Sequence, residues 1–380
     1  MSESTIEQAK REIDESLVLS AFCMRRIGLS FQDPKTGSAY LRQKLMLITA
    51  VCGICYHVFS EIAFIGLTLA NSPRVEDVVP LFHTFGYGAL SIAKVFVLWY
   101  KKDVFRQLLN ELAGIWPMPP LEEEAQIIKN KSLAALRITH RCKCVFKTLH
   151  SLPCYLKCEH MKIRCVGQLV LNKKQTSFSS SFLGQTCVFI MVSTDLLFSA
   201  MASHISILLR LLKRRLESVG TVDSDDHYPE ILEDIKLHQR LITYCNDLEN
   251  AFSLSNFVNV VLSSVNICCV VFVIVLLEPL VAISNKLFLG SALIQIGMLC
   301  WYADDIFHAN ADVAAAAYNS GWYRTNARCR RALLFLIQRA QKPIAFTAMG
   351  FTNITLVTYS AILSKSYSYF ALLYTMYSEN

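Results

Sequence analysis

The chain has 380 residues, 53% of them hydrophobic and 18% charged, with a formal charge of +7 and a mean hydropathy of +0.36. A soluble domain of this size does not carry several apolar runs long enough to cross a bilayer, so the composition excludes an ordinary water-soluble enzyme and points to an all-α membrane protein. The surplus of lysine and arginine does not indicate nucleic acid, because the basic residues cluster between the apolar runs, where they report orientation.

Residues 1–44 mix charges of both signs (Glu3, Glu7, Lys10, Arg11, Glu12, Asp14, Glu15). They do not read as a cleavable signal peptide, and a polar, partly helical cytoplasmic N-terminus is expected. The first span is expected at about 45–70. It carries His57 and Glu61 four apart, on one helix face, where a satisfied hydrogen bond outweighs a polar pocket. The second span, about 78–100, places His83, Tyr87 and Ser91 on one stripe. Lys94, near its far end, is expected to snorkel. Lys101, Lys102 and Arg106 follow and mark that end as cytoplasmic. Pro117, Pro119 and Pro120 then break the chain ahead of Glu122–Glu124. The sequon Asn130-Lys131-Ser132 falls on the cytoplasmic side of this topology and is expected to stay unmodified.

A third span belongs at about 142–170, yet the text there holds Lys143, Lys147, Lys157, Glu159, His160, Lys162 and Arg164. The basic loops on either side both read as cytoplasmic, so an even number of crossings lies between them. Either 142–170 crosses despite its charges, or the chain departs from a functional text here. Cys142, Cys144, Cys154, Cys158 and Cys165, with His140, His150 and His160, lack the paired spacing of a zinc site, and no metal or cofactor is expected. The other cysteines lie mostly in apolar runs and read as packed thiols, not a disulfide framework.

The fourth span, about 182–209, holds Asp195 among Phe189, Met191, Leu196 and Phe198. A carboxylate there is costly in lipid and is expected to face the bundle. A polar link with the helical run Tyr228–Phe252 leads to the fifth span, about 257–283, and then the sixth, about 287–302. Asp304 and Asp305 follow and read as a solvated face. Residues 303–343 are too rich in arginine for lipid and are expected to form a water-facing helical extension. The seventh span is expected at about 344–370. The sum is a seven-transmembrane helical bundle with its N-terminus inside and its C-terminus outside.

Four stretches stand in order near the C-terminus: Cys300-Trp301-Tyr302-Ala303-Asp304-Asp305, Ala317-Tyr318-Asn319-Ser320-Gly321-Trp322, Ile337-Gln338-Arg339-Ala340-Gln341-Lys342-Pro343 and Ser366-Tyr367-Ser368-Tyr369-Phe370. In order and spacing they resemble the C-terminal signature of insect odorant receptors. The resemblance implies an odour-binding subunit of a ligand-gated cation channel in the plasma membrane. Such a subunit assembles with a common co-receptor subunit into a hetero-oligomer, a tetramer.

The resemblance also implies sites. A pocket for a small volatile hydrophobic ligand would lie in the outer half of the bundle, at His83, Phe85, Tyr87, Phe189, Met191, Ser193 and Thr194. The last helix would line the pore through Ser366, Tyr369, Phe370, Leu373 and Tyr374, with Lys365 turned away from the axis. The cytoplasmic anchor between subunits would use Tyr318, Trp322, Leu333, Leu336 and Ile337. The close alternatives are a gustatory receptor of the same fold, and a non-functional relative whose gene is misread between Arg141 and Phe182. A G-protein-coupled receptor is excluded by the opposite orientation and by missing Asp-Arg-Tyr and Asn-Pro-x-x-Tyr texts. A secondary transporter is disfavoured because no repeated halves are visible. No nucleophile–base pair suggests an enzyme.

Overall fold

A computed structural model describes residues 3–31, 37–70, 75–118, 122–165, 173–220, 227–276 and 283–378; within these, the side chains of 75–84, 146–165, 173–183 and 284 lie outside the description. The described residues form ten α-helices: α1 (Glu3–Arg26), α2 (Ser38–Ala70), α3 (Val75–Tyr100), α4 (Lys102–Ile115), α5 (Glu123–Cys165), α6 (Lys173–Glu217), α7 (Tyr228–Leu276), α8 (Ile283–Asn319), α9 (Ala327–Ala340) and α10 (Leu356–Ser378). The expected all-α membrane fold is what is found.

Four helical stretches are long and apolar enough to cross a membrane: Ser38–Ala70, Gly184–Glu217, Tyr228–Leu276 and Asn285–Asn319. A shorter apolar stretch, Phe85–Tyr100, ends α3. α6 is the central post. From Thr186 to Leu212 nearly every side chain is buried, against α1, α3, α5, α7 and α8. α2 is the opposite case. It exposes Leu41, Leu45, Ile48, Tyr56, Phe59, Ile62, Leu67 and Leu69, as a helix facing lipid does.

The helices extend the expected elements, and one boundary is corrected. The N-terminal segment, expected to be polar and partly helical, has a buried apolar face: α1 buries Ala9, Ile13, Leu17 and Met24 and packs on α6. The periods of three and four that bury this face are those of an amphipathic helix. The helical run from Tyr228 and the fifth span are one 49-residue helix, and the sixth span and its extension are likewise one helix, α8, of 37 residues. No Pro or Gly lies at either junction to break them.

The seventh span does not start at Ile344. Residues 344–355 instead form a tight hairpin. Ile354 donates to the Phe346 carbonyl at 2.7 Å and Ala348 to that of Thr352 at 2.9 Å. φ is positive at both Met349 and Gly350, as a type I′ turn requires. Phe346 is buried and lies edge-on to Phe198 of α6, ring centroids 5.3 Å apart. α10 begins only at Leu356, where Asp304 of α8 accepts from the Leu356 N–H at 3.3 Å. That carboxylate supplies an orphan donor of the helix start with an acceptor and a favourable charge.

Candidate ligand pocket, pore helix and anchor

A polar stripe runs down α6. Asp195, Ser199, Ser206 and Arg210 stand 4, 11 and 15 residues from the first, which at 3.6 residues per turn is one face. Asp195 forms ion pairs with Lys94 of α3 and with Lys143 of α5, the latter at 3.1 Å, and both lysine side chains are 1% exposed. Asp195 faces the bundle as expected. Lys94 does not snorkel, because α3 buries Leu90, Ser91, Val95 and Leu98 on the same side and delivers the ammonium to the carboxylate.

Four residues on, Ser199 meets the Nε2 of His140 (α5) at 2.8 Å. Lower still, Ser206 and Arg210 both engage Asp305 of α8. Asp304 and Asp305 are therefore not a solvated pair: one starts α10 and the other ties α8 to α6.

α1 closes the side of this stripe. Ser16 meets His204 Nε2 at 3.2 Å, and Ser20 donates to the Ser193 carbonyl at 2.9 Å. Glu12 accepts from Trp116 at 2.8 Å and pairs with Lys129 at 2.6 Å. His57 and Glu61 face each other along α2 at 3.7 Å. Among the described residues, no three His, Cys, Asp or Glu side chains come together as a metal site would need.

The pocket candidates divide between two places. The side chain of His83 lies outside the described residues. Phe85 and Tyr87 sit on α3 half-buried, and the Tyr87 ring is edge-on to Phe288 of α8 at 5.8 Å. Phe189 instead faces α1, its ring 6.4 Å from Phe22, and packs with Val188, Val192 and Cys144. Met191, Ser193 and Thr194 are fully buried inside the bundle. The hydroxyls of Ser193 and Thr194 both donate to the Ile190 carbonyl. The geometry thus joins Tyr87 to α8 and keeps the α6 residues as packing.

α10 has two faces. Ile362, Ser366, Phe370, Leu373 and Tyr377 turn back to the bundle. Ser366 donates to the Ser264 carbonyl of α7 at 3.2 Å, and Phe370, Leu373 and Tyr377 pack with Cys269 and Phe272. Ser364, Lys365, Tyr367, Ser368, Tyr369, Leu372, Tyr374 and Thr375 are exposed. Of the five pore candidates, Tyr369 and Tyr374 lie on the outer face, whereas Ser366, Phe370 and Leu373 are held against α7. The spacing alone could not choose between the faces, because both mix serine with aromatics.

The anchor candidates divide in the same way. Leu333 and Leu336 are each 2% exposed and pack on the protomer's own core, with Ile337 half-buried beside them. Tyr318, Trp322, Tyr323, Leu334 and Phe335 are the exposed ones, Phe335 by 69%. α9 starts at Asn326, whose side chain accepts from the Cys329 N–H at 2.8 Å, a standard N-cap. Gly321 of the Ala-Tyr-Asn-Ser-Gly-Trp motif donates to Val219 O at 2.8 Å and lies backbone to backbone on Gly220, whose φ is +76°. A Cβ on Gly220 would overlap the Gly321 carbonyl, so this contact admits only glycine.

Buried polar contacts also tie α7 and α8 to α9 and to the hairpin at 344–355. Asn310 of α8 accepts through Oδ1 from His238 Nε2 at 3.0 Å and donates through Nδ2 to the Ala340 carbonyl at 3.1 Å. Glu249 of α7 receives the Thr347 N–H at 3.0 Å and the Thr347 hydroxyl. Burial raises the Glu249 pKa above the usual carboxylate range, and the Thr347 contacts oppose it. Sequence reasoning named Lys143 and Glu12 only as charges and gave no partner to them or to Lys129, Glu249 or Asn310. The one available signal was Asp195, a carboxylate in an apolar run that had to have a partner.

Comparison with known proteins completes the site. The family model described as 7tm odorant receptor matches residues 75–367. Odorant receptor 85c of Drosophila melanogaster is 29% identical over 91% of this chain and 94% of its own length. Odorant receptor 85b of the same species is 28% identical over 77% and 81%. The olfactory receptor OR5 of Machilis hrabei, solved with eugenol, superposes with a TM-score of 0.80 over 98% of this chain and 99% of that one, at 12% identity, which is a likeness of fold. The odorant rather than the gustatory assignment therefore holds, and it places the protein among receptors of the membrane, not enzymes: the chain belongs to the seven-transmembrane odorant receptor family of insects.

Proposed function

We propose that this receptor is the odour-binding subunit of a heteromeric, ligand-gated, non-selective cation channel, working beside a co-receptor subunit in the plasma membrane of olfactory sensory neurons. The observation that carries the reading is the outer face of α10. A lone helix bundle gains nothing by showing Ser364, Ser368, Tyr369, Tyr374 and Thr375 to lipid, and a helix wetted on one side by a shared central pore has a use for that face. The pore contacts are accordingly Tyr369 and Tyr374, with Ser364, Ser368 and Thr375 added. Ser366, Phe370 and Leu373 brace the helix from behind.

The exposed Tyr318, Trp322, Leu334 and Phe335 supply the subunit contact below the membrane, where an apolar patch in water needs a cover. The ligand site is proposed around Phe85, Tyr87 and Phe288, with His83 one turn outward. A small apolar odorant, as eugenol is for the Machilis receptor, suits three aromatic rings and a phenolic hydroxyl. α5 supplies the third crossing, and its Lys143 is housed by Asp195. The N-terminus lies inside and the C-terminus outside, as the basic residues at 101–106 and 210–215 support.

The test is co-expression with the co-receptor under voltage clamp. Odour-evoked cation current is expected, with relative permeabilities altered by Tyr369→Ala and Tyr374→Ala and unaltered by Ser366→Ala. Current whose selectivity is indifferent to the outer face but follows Ser366 would overturn the assignment of faces. No odour-evoked current with any co-receptor would overturn the channel reading.

A further inference from the structure

The α3–α4 junction is far in sequence from the end of α1 and the start of α2, and the contacts here bring the three segments together. Arg106 of α4 donates to the Phe31 carbonyl at 2.8 Å, and the Phe31 and Phe105 rings meet at 6.4 Å. Gly28, with φ +76°, lies hard against the backbone of Gln43 and Leu47 in the first turns of α2. The three segments gather Arg25, Arg26, Arg42, Lys44, Lys101, Lys102 and Arg106, and within 18–31, 37–48 and 96–106 the only carboxylate is Asp103.

This cluster sits among exposed apolar and aromatic side chains: Phe22, Tyr40, Leu41, Leu45, Phe96, Trp99 and Tyr100. Three of the cations lie over rings. Arg26 is 5.1 Å from the Phe22 centroid, Lys44 is 4.5 Å from Tyr40 and Lys101 is 5.7 Å from Tyr100. Phe96 stacks on Tyr100 at 5.6 Å, which fixes the last ring of α3. Exposed aromatics beside cations at the end of an apolar helix mark the level of lipid headgroups. Orientation signals need only net charge on a loop. Here the fold also converges that charge from three segments onto one patch and rests it on rings.

We infer that this patch is a binding site for anionic phospholipid headgroups, of which a phosphorylated inositol lipid offers the densest charge. The acyl chains would run along Leu45 and Ile48 of α2, which are exposed beyond Lys44 on the way into the apolar part of the helix. The headgroup phosphates would sit between the Arg25–Arg26 end of α1 and Lys101–Lys102. The site links α1, α2 and α3, so an occupied headgroup cross-links the periphery of the bundle to the helix that carries Tyr87. It requires only that the chain be a membrane protein and stands apart from the channel reading.

The experiment is native mass spectrometry of the purified receptor in phosphatidylcholine nanodiscs containing a bisphosphorylated phosphatidylinositol. Wild type is expected to retain the anionic lipid. A cation near a charged lipid surface is worth about a fivefold change in affinity, so Lys44→Gln with Lys101→Gln weakens retention roughly 25-fold. Lys44→Arg with Lys101→Arg is expected to restore it. A thermal melt in pure phosphatidylcholine shows that the Gln variant still folds. Should that variant not fold, Arg26→Gln alone is used, with about a fivefold loss expected. No retention by wild type, equal retention by a folded Gln variant, or full displacement by inorganic phosphate would each overturn the site.

Discussion

Asp195 is held between two ammonium groups, and the three charges do not cancel. Removing water from an ion costs several kcal/mol, which a buried partner has to offset. Asp195→Asn takes away the carboxylate they share and leaves Lys94 and Lys143 facing each other, for an expected loss of about 3–5 kcal/mol. Lys143→Met leaves the Lys94–Asp195 pair balanced and is expected to cost far less. Thermal melts of the solubilised receptor by size-exclusion fluorescence give the comparison, and equal losses would show that the three groups do not act as a unit.

A second residue yields a pH signature. Asp234, in the inner part of α7, is buried beside Arg215 at 2.8 Å. Burial pushes its pKa up to about 6, with Arg215 opposing and Glu230 and Glu233 adding to the rise. A carboxyl whose folded pKa exceeds its unfolded value binds more protons when folded, so its contribution to stability falls as pH rises from about 4 to 6 and is level above that. The melting temperature of Asp234→Asn minus that of wild type should therefore climb across this window. A flat difference would mean that the carboxylate is not buried as described.

At the scale of the element, α9 and α10 each separate an inner face from an outer one. In α9 the buried positions are Cys329, Leu333, Leu336 and Ala340, spaced three and four apart against α7 and α8. A charge at Leu333 or Leu336 is expected to destabilise the protomer itself, by several kcal/mol, as a buried unpaired ion does. Its effect on assembly would be secondary. Phe335→Asp or Leu334→Asp should leave the protomer folded and abolish co-purification with the co-receptor. The paired readouts, protomer melting and co-purification, separate the two faces. Full co-assembly of Phe335→Asp would remove α9 from the interface.

At the scale of the molecule, α6, α7 and α8 are tied to one another, to the hairpin and to the start of α10. Arg210–Asp305 joins α6 to α8, Glu249 holds Thr347, and Asp304 starts α10. A ligand-driven shift of α8 beside Tyr87 has a physical route to α10 through these contacts, since Asp304 and Asp305 are adjacent residues on α8. Asp305→Asn is expected to weaken coupling between odour binding and current, by about 1–2 kcal/mol of shifted half-activation, and exchanging the charges at 210 and 305 to recover part of it. Half-activation unchanged in Asp305→Asn would sever that route.

Composition and the placement of lysine and arginine decided by themselves that this is a helical membrane protein, because a bilayer sorts apolar and basic residues with little reference to which helix touches which. Four short motifs decided the family, and Asp195 announced a polar contact inside the bundle. Which face of each helix is inward was not legible. In α10, serine and tyrosine occur on both sides, and in α9, Leu333 and Leu334 are chemically alike. Only packing against α7 and α8 separates Ser366 from Tyr369 and Leu333 from Phe335. Periodicity also could not foresee that Lys94 and Lys143, 101 and 52 residues from Asp195, would both meet it on α6. Helix faces and buried charge partners are properties of three-dimensional neighbours, and those are set by tertiary packing.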